Sequence, residues 1–194
     1  MKNTKEKMRS RREARRNAKR IGQNPNRNLA FFTQIISELG YTMASFARAI
    51  GTSQQNIYHF LLHDDITLSE LQDWFIRLGL LITATFEGAS PLPIKSDVPT
   101  IVWGQDVRPV IGKTSMDAQV RLLAASSSRI AFVAQLILDA KIGVHSFHKR
   151  LGVPRTTFLS WLERGDVRIS ALNKMAEMTG THLVWTVEKA HRSE

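Results

Sequence analysis

The chain contains itself twice. Residues 29–87 align without gaps with residues 130–188 at a constant offset of 101. Identities run along the whole match. They include Ala30/Ala131, Phe31/Phe132, Gln34/Gln135, Ile36/Ile137, Ser45/Ser146, Phe46/Phe147 and Gly51/Gly152. They continue through Leu61/Leu162, Asp65/Asp166, Ser69/Ser170, Leu71/Leu172, Gly79/Gly180, Thr85/Thr186 and Glu87/Glu188. Other pairs keep apolar character, such as Ile50/Leu151, Ile57/Phe158 and Phe60/Trp161. Self-similarity at a fixed offset is the mark of a repeated structural unit, so both copies are expected to fold on one plan.

Within each copy the apolar spacing is helical. Leu29, Phe32, Ile36 and Leu39 fall on one face of a first helix, which Gly40 ends as a left-handed stop. Thr42 is placed to cap a second helix running to Ile50. Gly51 interrupts the chain, and Thr52 or Ser53 starts a third helix, with Thr52 and Gln55 at capping-box spacing. Thr67 and Glu70 repeat that spacing before a fourth helix that ends at Gly79. Then the period changes. Ile82, Ala84 and Phe86 alternate with Thr83 and Thr85, as in a short strand. Leu183, Trp185 and Val187 alternate likewise with Val184 and Thr186. A lone strand is marginal, so these two must pair with each other, with the connector or with a second chain. The connector, residues 88–115, holds Pro91, Pro93, Pro99 and Pro109 with Gly88, Gly104 and Gly112, which is punctuation and not helix. Thr100–Trp103 is a short extended piece within it, and residues 116–125 are helical again.

The centre of each copy carries the motif. Residues 43–62 read MASFARAIGTSQQNIYHFLL and residues 144–163 read VHSFHKRLGVPRTTFLSWLE. Two helices crossing steeply need a turn of three or four residues between them. Gly51 and Gly152 relieve that turn. Phe46, Ile50, Phe147 and Leu151 bury the helix before it, and Ile57, Phe60, Phe158 and Trp161 anchor the helix after it. Ala47 is the small residue wanted where the helices touch. This pattern resembles the helix-turn-helix of the lambda-repressor/Cro-like (XRE) family, and the resemblance extends over most of both repeats. Copy two departs from it at His148, where the family has a small residue, and at Arg168, where copy one has Thr67. Its unit is either degraded or repurposed.

The resemblance implies that the helix after the turn enters the major groove, with its early exposed residues at base edges. Carried over by position, these are Ser53, Gln54, Gln55, Tyr58 and His59, with Asn56 beside them. In copy two they are Pro154, Arg155, Thr156, Leu159 and Ser160, with Thr157 alongside. Gln and Asn suit adenine, Arg155 suits guanine, and the threonines suit a thymine methyl or a phosphate. Pro154 fits a helix's first turn. Arg48, Lys149 and Arg150 flank the turns as phosphate contacts.

Charge supports an acidic polymer as partner. Residues 1–20 hold ten Lys/Arg and two acids, a local +8. Of 27 basic and 17 acidic residues in all, that leaves 17 and 15, a nearly neutral body. Such an arm adds sequence-independent affinity for phosphates. Arg11, Arg12, Arg15 and Arg16 are placed to enter a narrow minor groove. The bland alternative is a solubilising tail.

Other functions find little support. The absence of cysteine excludes disulfides, thiolate metal sites and a cysteine nucleophile. The longest near-apolar stretch, Ile130–Leu138, is about half of a membrane span, and no apolar region follows the N-terminal charges as a signal peptide requires. His59 and His63 are four apart, near Asp64 and Asp65, and His145 and His148 three apart. Those spacings permit a metal, but no third and fourth ligand is evident, so solvated or DNA-facing histidines are the simpler reading. Gly112-Lys113-Thr114 lacks the glycine that a phosphate-binding loop needs at position 107, which is Val107. Trp74, Trp161 and Trp185 are read as core.

The sequence therefore predicts a mostly α protein. An arm (1–27) precedes a first lambda-repressor-like helical domain (28–87), a linker (88–115), a second such domain (116–188) and a tail (189–194). Each domain ends in a short β-strand. The expected function is sequence-selective binding of duplex DNA by a cytoplasmic, nucleoid-associated transcriptional regulator of bacterial or phage type, with no catalysis, cofactor, metal or membrane. Two unlike reading helices predict unlike half-sites about one helical turn apart, or a multiple of that. Homodimerisation through the terminal strands would add two more reading helices. The alternatives are an arm-driven architectural binder, a protein-interaction module such as an antitoxin or phage-particle adaptor, and an RNA binder using the arm.

Overall fold

The computed structural model describes residues 27–88, 116–141 and 143–190. The arm up to position 26, with Arg11, Arg12, Arg15 and Arg16, lies outside the described residues. So do Thr100–Trp103, Gly112-Lys113-Thr114 and positions 191–194.

Copy one forms α1 (Ala30–Glu38), α2 (Met43–Ala49), α3 (Gln54–His63), α4 (Leu68–Ile76) and β1 (Leu80–Glu87). Copy two is preceded by α5 (Met116–Ala124). It then repeats the order with α6 (Ala131–Asp139), α7 (Val144–Arg150), α8 (Arg155–Arg164), α9 (Ile169–Thr179) and β2 (His182–Lys189). The described chain is thus mostly helical with one two-stranded antiparallel sheet. No described helix is long and apolar enough to cross a membrane.

Local chemistry sets these boundaries. Gly40 and Gly79 follow α1 and α4 in the left-handed region. Thr42 caps α2 reciprocally: its Oγ1 accepts from Ser45 N–H at 3.1 Å, and Ser45 Oγ accepts from Thr42 N–H at 2.9 Å. At α3 the cap is Ser53, not Thr52, because Ser53 Oγ accepts from Asn56 N–H at 3.1 Å. Pro154 stands one place earlier than a first-turn proline, as the N-cap of α8.

The described residues divide into two units, and the division cuts across the repeat. One comprises residues 27–66, 70–81 and 188–190, the other 67–69, 82–88, 116–141 and 143–187. The core of the first is aromatic. Phe32 meets Phe46 edge-on at 5.5 Å and Trp74 at 5.6 Å, Phe60 meets Trp74 at 5.3 Å, and Phe46 lies 6.1 Å from Phe75. Such ring contacts add to the free energy of removing each ring from water.

The second unit buries Phe147, Phe158, Ile169, Leu172 and Met175, which stand where copy one of the repeat has Phe46, Ile57, Leu68, Leu71 and Trp74. Its α5 packs on α6 and α7, burying Val120 and Leu123. Trp74 is buried, whereas Trp161 and Trp185 are only half-buried, so the reading of all three as core holds fully for one.

The two terminal strands pair with each other, one of the three options left open by the sequence. Ala190 N–H donates to Gly79 O at 2.9 Å, and His182 approaches Glu87 at 4.0 Å. Both pairs of numbers sum to the same value, and that register sets Ala84 opposite Trp185, its own counterpart in the repeat. Thr67 likewise bridges Arg168, its counterpart, and Leu68 N–H donates to Val167 O at 2.8 Å. Along β1 the expected alternation appears in full, with Ile82, Ala84 and Phe86 buried. Along β2, Leu183, Val184, Trp185 and Val187 are all half-buried, so alternation there is blurred.

Candidate nucleic-acid interface

In each copy a seven-residue helix, a glycine turn and a ten-residue helix follow one another without interruption. Gly51 (φ +72°) and Gly152 (φ +71°) adopt the left-handed backbone that makes this turn possible, a conformation costly for any residue with a Cβ. Phe46, Ala47, Ile50 and Ile57 close the angle in copy one, each at most 2% exposed.

The turn is held differently in the two copies. In copy one, Arg77, just beyond α4, donates from Nη1 to Ile50 O at 2.9 Å. In copy two the equivalent position is Met178, and His148 takes over, with Nδ1 3.2 Å from Val153 O. His148 is buried, its ring 6.1 Å from Phe158 and 5.2 Å from His145. It is therefore neither solvated nor DNA-facing, which corrects the sequence reading. It is a core residue in the slot that Ala47 fills in copy one.

The expected reading positions of α3 fall into two groups. Gln55, Asn56 and His59 are exposed. Gln54 and Tyr58 are half-buried and tied together, Gln54 Nε2 donating to Tyr58 Oη at 2.9 Å. Ser53 is exposed but its hydroxyl caps the helix, and Asn56 Nδ2 donates to Thr52 Oγ1 at 3.2 Å. On α8, Arg155, Thr156 and Thr157 are exposed at the helix start behind exposed Pro154. Leu159 and Ser160 are half-buried, and the Ser160 carbonyl accepts from Arg164 Nε at 3.2 Å.

The flanking cations Arg48, Lys149 and Arg150 are exposed in the last turns of α2 and α7. Cations there complement the partial negative charge of a helix C-terminus.

One clasp escaped the sequence reading. Asp64, left-handed at φ +55°, accepts from Asn28 N–H at 3.0 Å and Leu29 N–H at 3.2 Å, holding the turn that leads into α1. Arg27 Nε lies 3.3 Å from the same carboxylate, and Arg27 Nη2 donates to Leu61 O and Leu62 O. The end of the basic arm is thereby fastened to the C-terminal turn of α3. The available signal was the Asp64/Gly165 pairing in the repeat, since glycine in one copy marks a left-handed position in both.

Comparison with family models, with curated proteins and with solved structures finds no match to this chain.

Proposed function

We propose that this protein binds duplex DNA sequence-selectively and acts as a transcriptional regulator, with α3 and α8 as reading helices and the N-terminal arm as a phosphate contact. The observation that carries the reading is the repeated one. In each copy a glycine-turned helix pair leaves polar or charged side chains exposed at the start of its second helix: Gln55 and Asn56 in one, Arg155, Thr156 and Thr157 in the other. Side chains of these types match donor and acceptor patterns of the major groove. The exposed cations Arg48, Lys149 and Arg150, in the last turns of the preceding helices, are assigned to phosphate contacts in this reading.

Selection of bound duplexes from a random pool, at physiological ionic strength with excess competitor, tests the proposal. A defined bipartite motif is the expected result. Recovery of unselected sequence, with binding that vanishes as salt rises, would replace it with an arm-driven architectural binder, the reading favoured by the +8 charge of residues 1–20. Recovery of no DNA would leave a protein-interaction module.

A further inference from the structure

Two exposed histidines stand together on α3. His59 and His63 are exposed, one helical turn apart, with ring centroids 4.4 Å apart and planes inclined at 57°. Residues four apart project from one helix face with Cβ atoms separated by about 5–6 Å, the spacing of two-histidine metal ligation on helices. Among the described residues neither ring has a hydrogen-bond or ion-pair partner; the neighbouring contact is Phe60, edge-on to His59 at 5.9 Å.

The backbone beneath them is fixed at both ends. Ser53 caps the start of α3, and Asp64, directly after His63, is held by Asn28, Leu29 and Arg27. Two imidazoles on a pinned helical turn lose little freedom on chelating an ion.

We propose that His59 and His63 form a two-imidazole site for a borderline divalent transition ion, Cu2+, Ni2+ or Zn2+. The donor set decides the class. Neutral imidazole nitrogens suit these ions, with Cu2+ bound most tightly, while Mg2+ and Ca2+ require oxygen ligands. The Asp64 carboxylate is committed to Asn28, Leu29 and Arg27, so water completes the coordination sphere. The site belongs to copy one alone, because the equivalent positions in copy two are Ser160 and Arg164. If α3 reads bases as proposed above, an ion on this face covers the His59 position, and ion and duplex exclude each other. That second step rests on the DNA-binding reading; the metal site does not.

The test titrates Cu2+ into the full-length protein at constant pH and follows the Cu2+ resonance spectrum. His59→Ala and His63→Ala are each expected to weaken binding at least tenfold and to lose one nitrogen from the copper's ligand set. His145→Ala is expected to change neither. Unchanged Cu2+ affinity in both His59→Ala and His63→Ala overturns the site. A parallel mobility shift separates the two proposals. Release of duplex by Cu2+ from the natural chain, but not from His63→Ala, supports both. Absence of duplex binding in any condition refutes DNA reading, while the spectrum still decides the metal site.

Discussion

Asp166 holds Ser69 twice. Its Oδ1 accepts from the Ser69 N–H at 3.0 Å and its Oδ2 from the Ser69 hydroxyl at 2.7 Å, across 97 residues of chain. The first turn of α4 thus has a cap supplied by the other copy of the repeat. Oδ1 also accepts from Val167 N–H at 3.0 Å. Asp166→Ala strips three donors of their acceptor and is expected to cost about 1–2 kcal/mol, with Asp166→Asn recovering part of it. Urea unfolding of the variants measures this. An unmoved midpoint would show that water replaces the carboxylate at no cost.

The glycines rank by what surrounds them. A Cβ at Gly51 meets nothing within 4 Å, so Gly51→Ala carries only the left-handed backbone penalty, about 1 kcal/mol. A Cβ at Gly88 (φ +135°) lies 3.0 Å from Thr181 Cα and 3.2 Å from Gly180 O, both backbone atoms. Gly88→Ala must therefore push apart the strand ends, and its drop in melting temperature is expected to exceed that of Gly51→Ala. The reverse order would contradict this packing.

Ala47 and His148 occupy equivalent positions with opposite contents. Ala47 is 2% exposed, so its slot is closed to solvent. Ala47→His overpacks that slot and is expected to destabilise by about 1–3 kcal/mol. In copy two the histidine ring has its Nδ1 3.2 Å from Val153 O and Phe158 beside it. Thermal unfolding of Ala47→His decides; full stability would mean the two slots are interchangeable.

Much of this was legible in the sequence, and the reason is locality. Thr42, Gly51 and Gly152, and the Ile82–Ala84–Phe86 alternation, act within a few residues of themselves, so spacing alone reveals them. The Asp166–Ser69 and Asp64–Asn28 bonds join residues 97 and 36 apart, and no local pattern marks them. His148 was misread for a related cause: a histidine's burial depends on what packs over it, not on its neighbours in sequence. Among the candidate readers, Gln54 and Tyr58 look equivalent to Gln55 in the sequence but prove to be bonded to each other.

Under the proposed function, that bond separates the two glutamines in their expected effect on DNA binding. Gln55→Ala and Arg155→Ala are each expected to reduce discrimination at one base pair by about 1–3 kcal/mol, in separate half-sites. Gln54→Ala should instead weaken binding by freeing Tyr58, with the preferred sequence unaltered. Binding-site selection with each variant reads this directly. A site unchanged by Gln55→Ala and Arg155→Ala would remove both helices from base reading.

Under the proposed function the arm acts through charge alone. Deleting residues 1–20 is expected to flatten the dependence of log affinity on log salt by close to one unit for every phosphate the arm neutralises, and to leave the selected motif intact. Disappearance of the motif would assign sequence reading to the arm.

The pairing of β1 with β2 has a consequence for the chain as a covalent object. The two copies end on strands bonded to each other, Gly79 to Ala190 at one end of the ladder, while the connector leaves from Gly88 at the other. Continuity through residues 89–115 is thus not what keeps those termini together. With the chain opened there, the β1–β2 ladder is expected to go on joining the two pieces, so that they separate in denaturant and comigrate in native buffer.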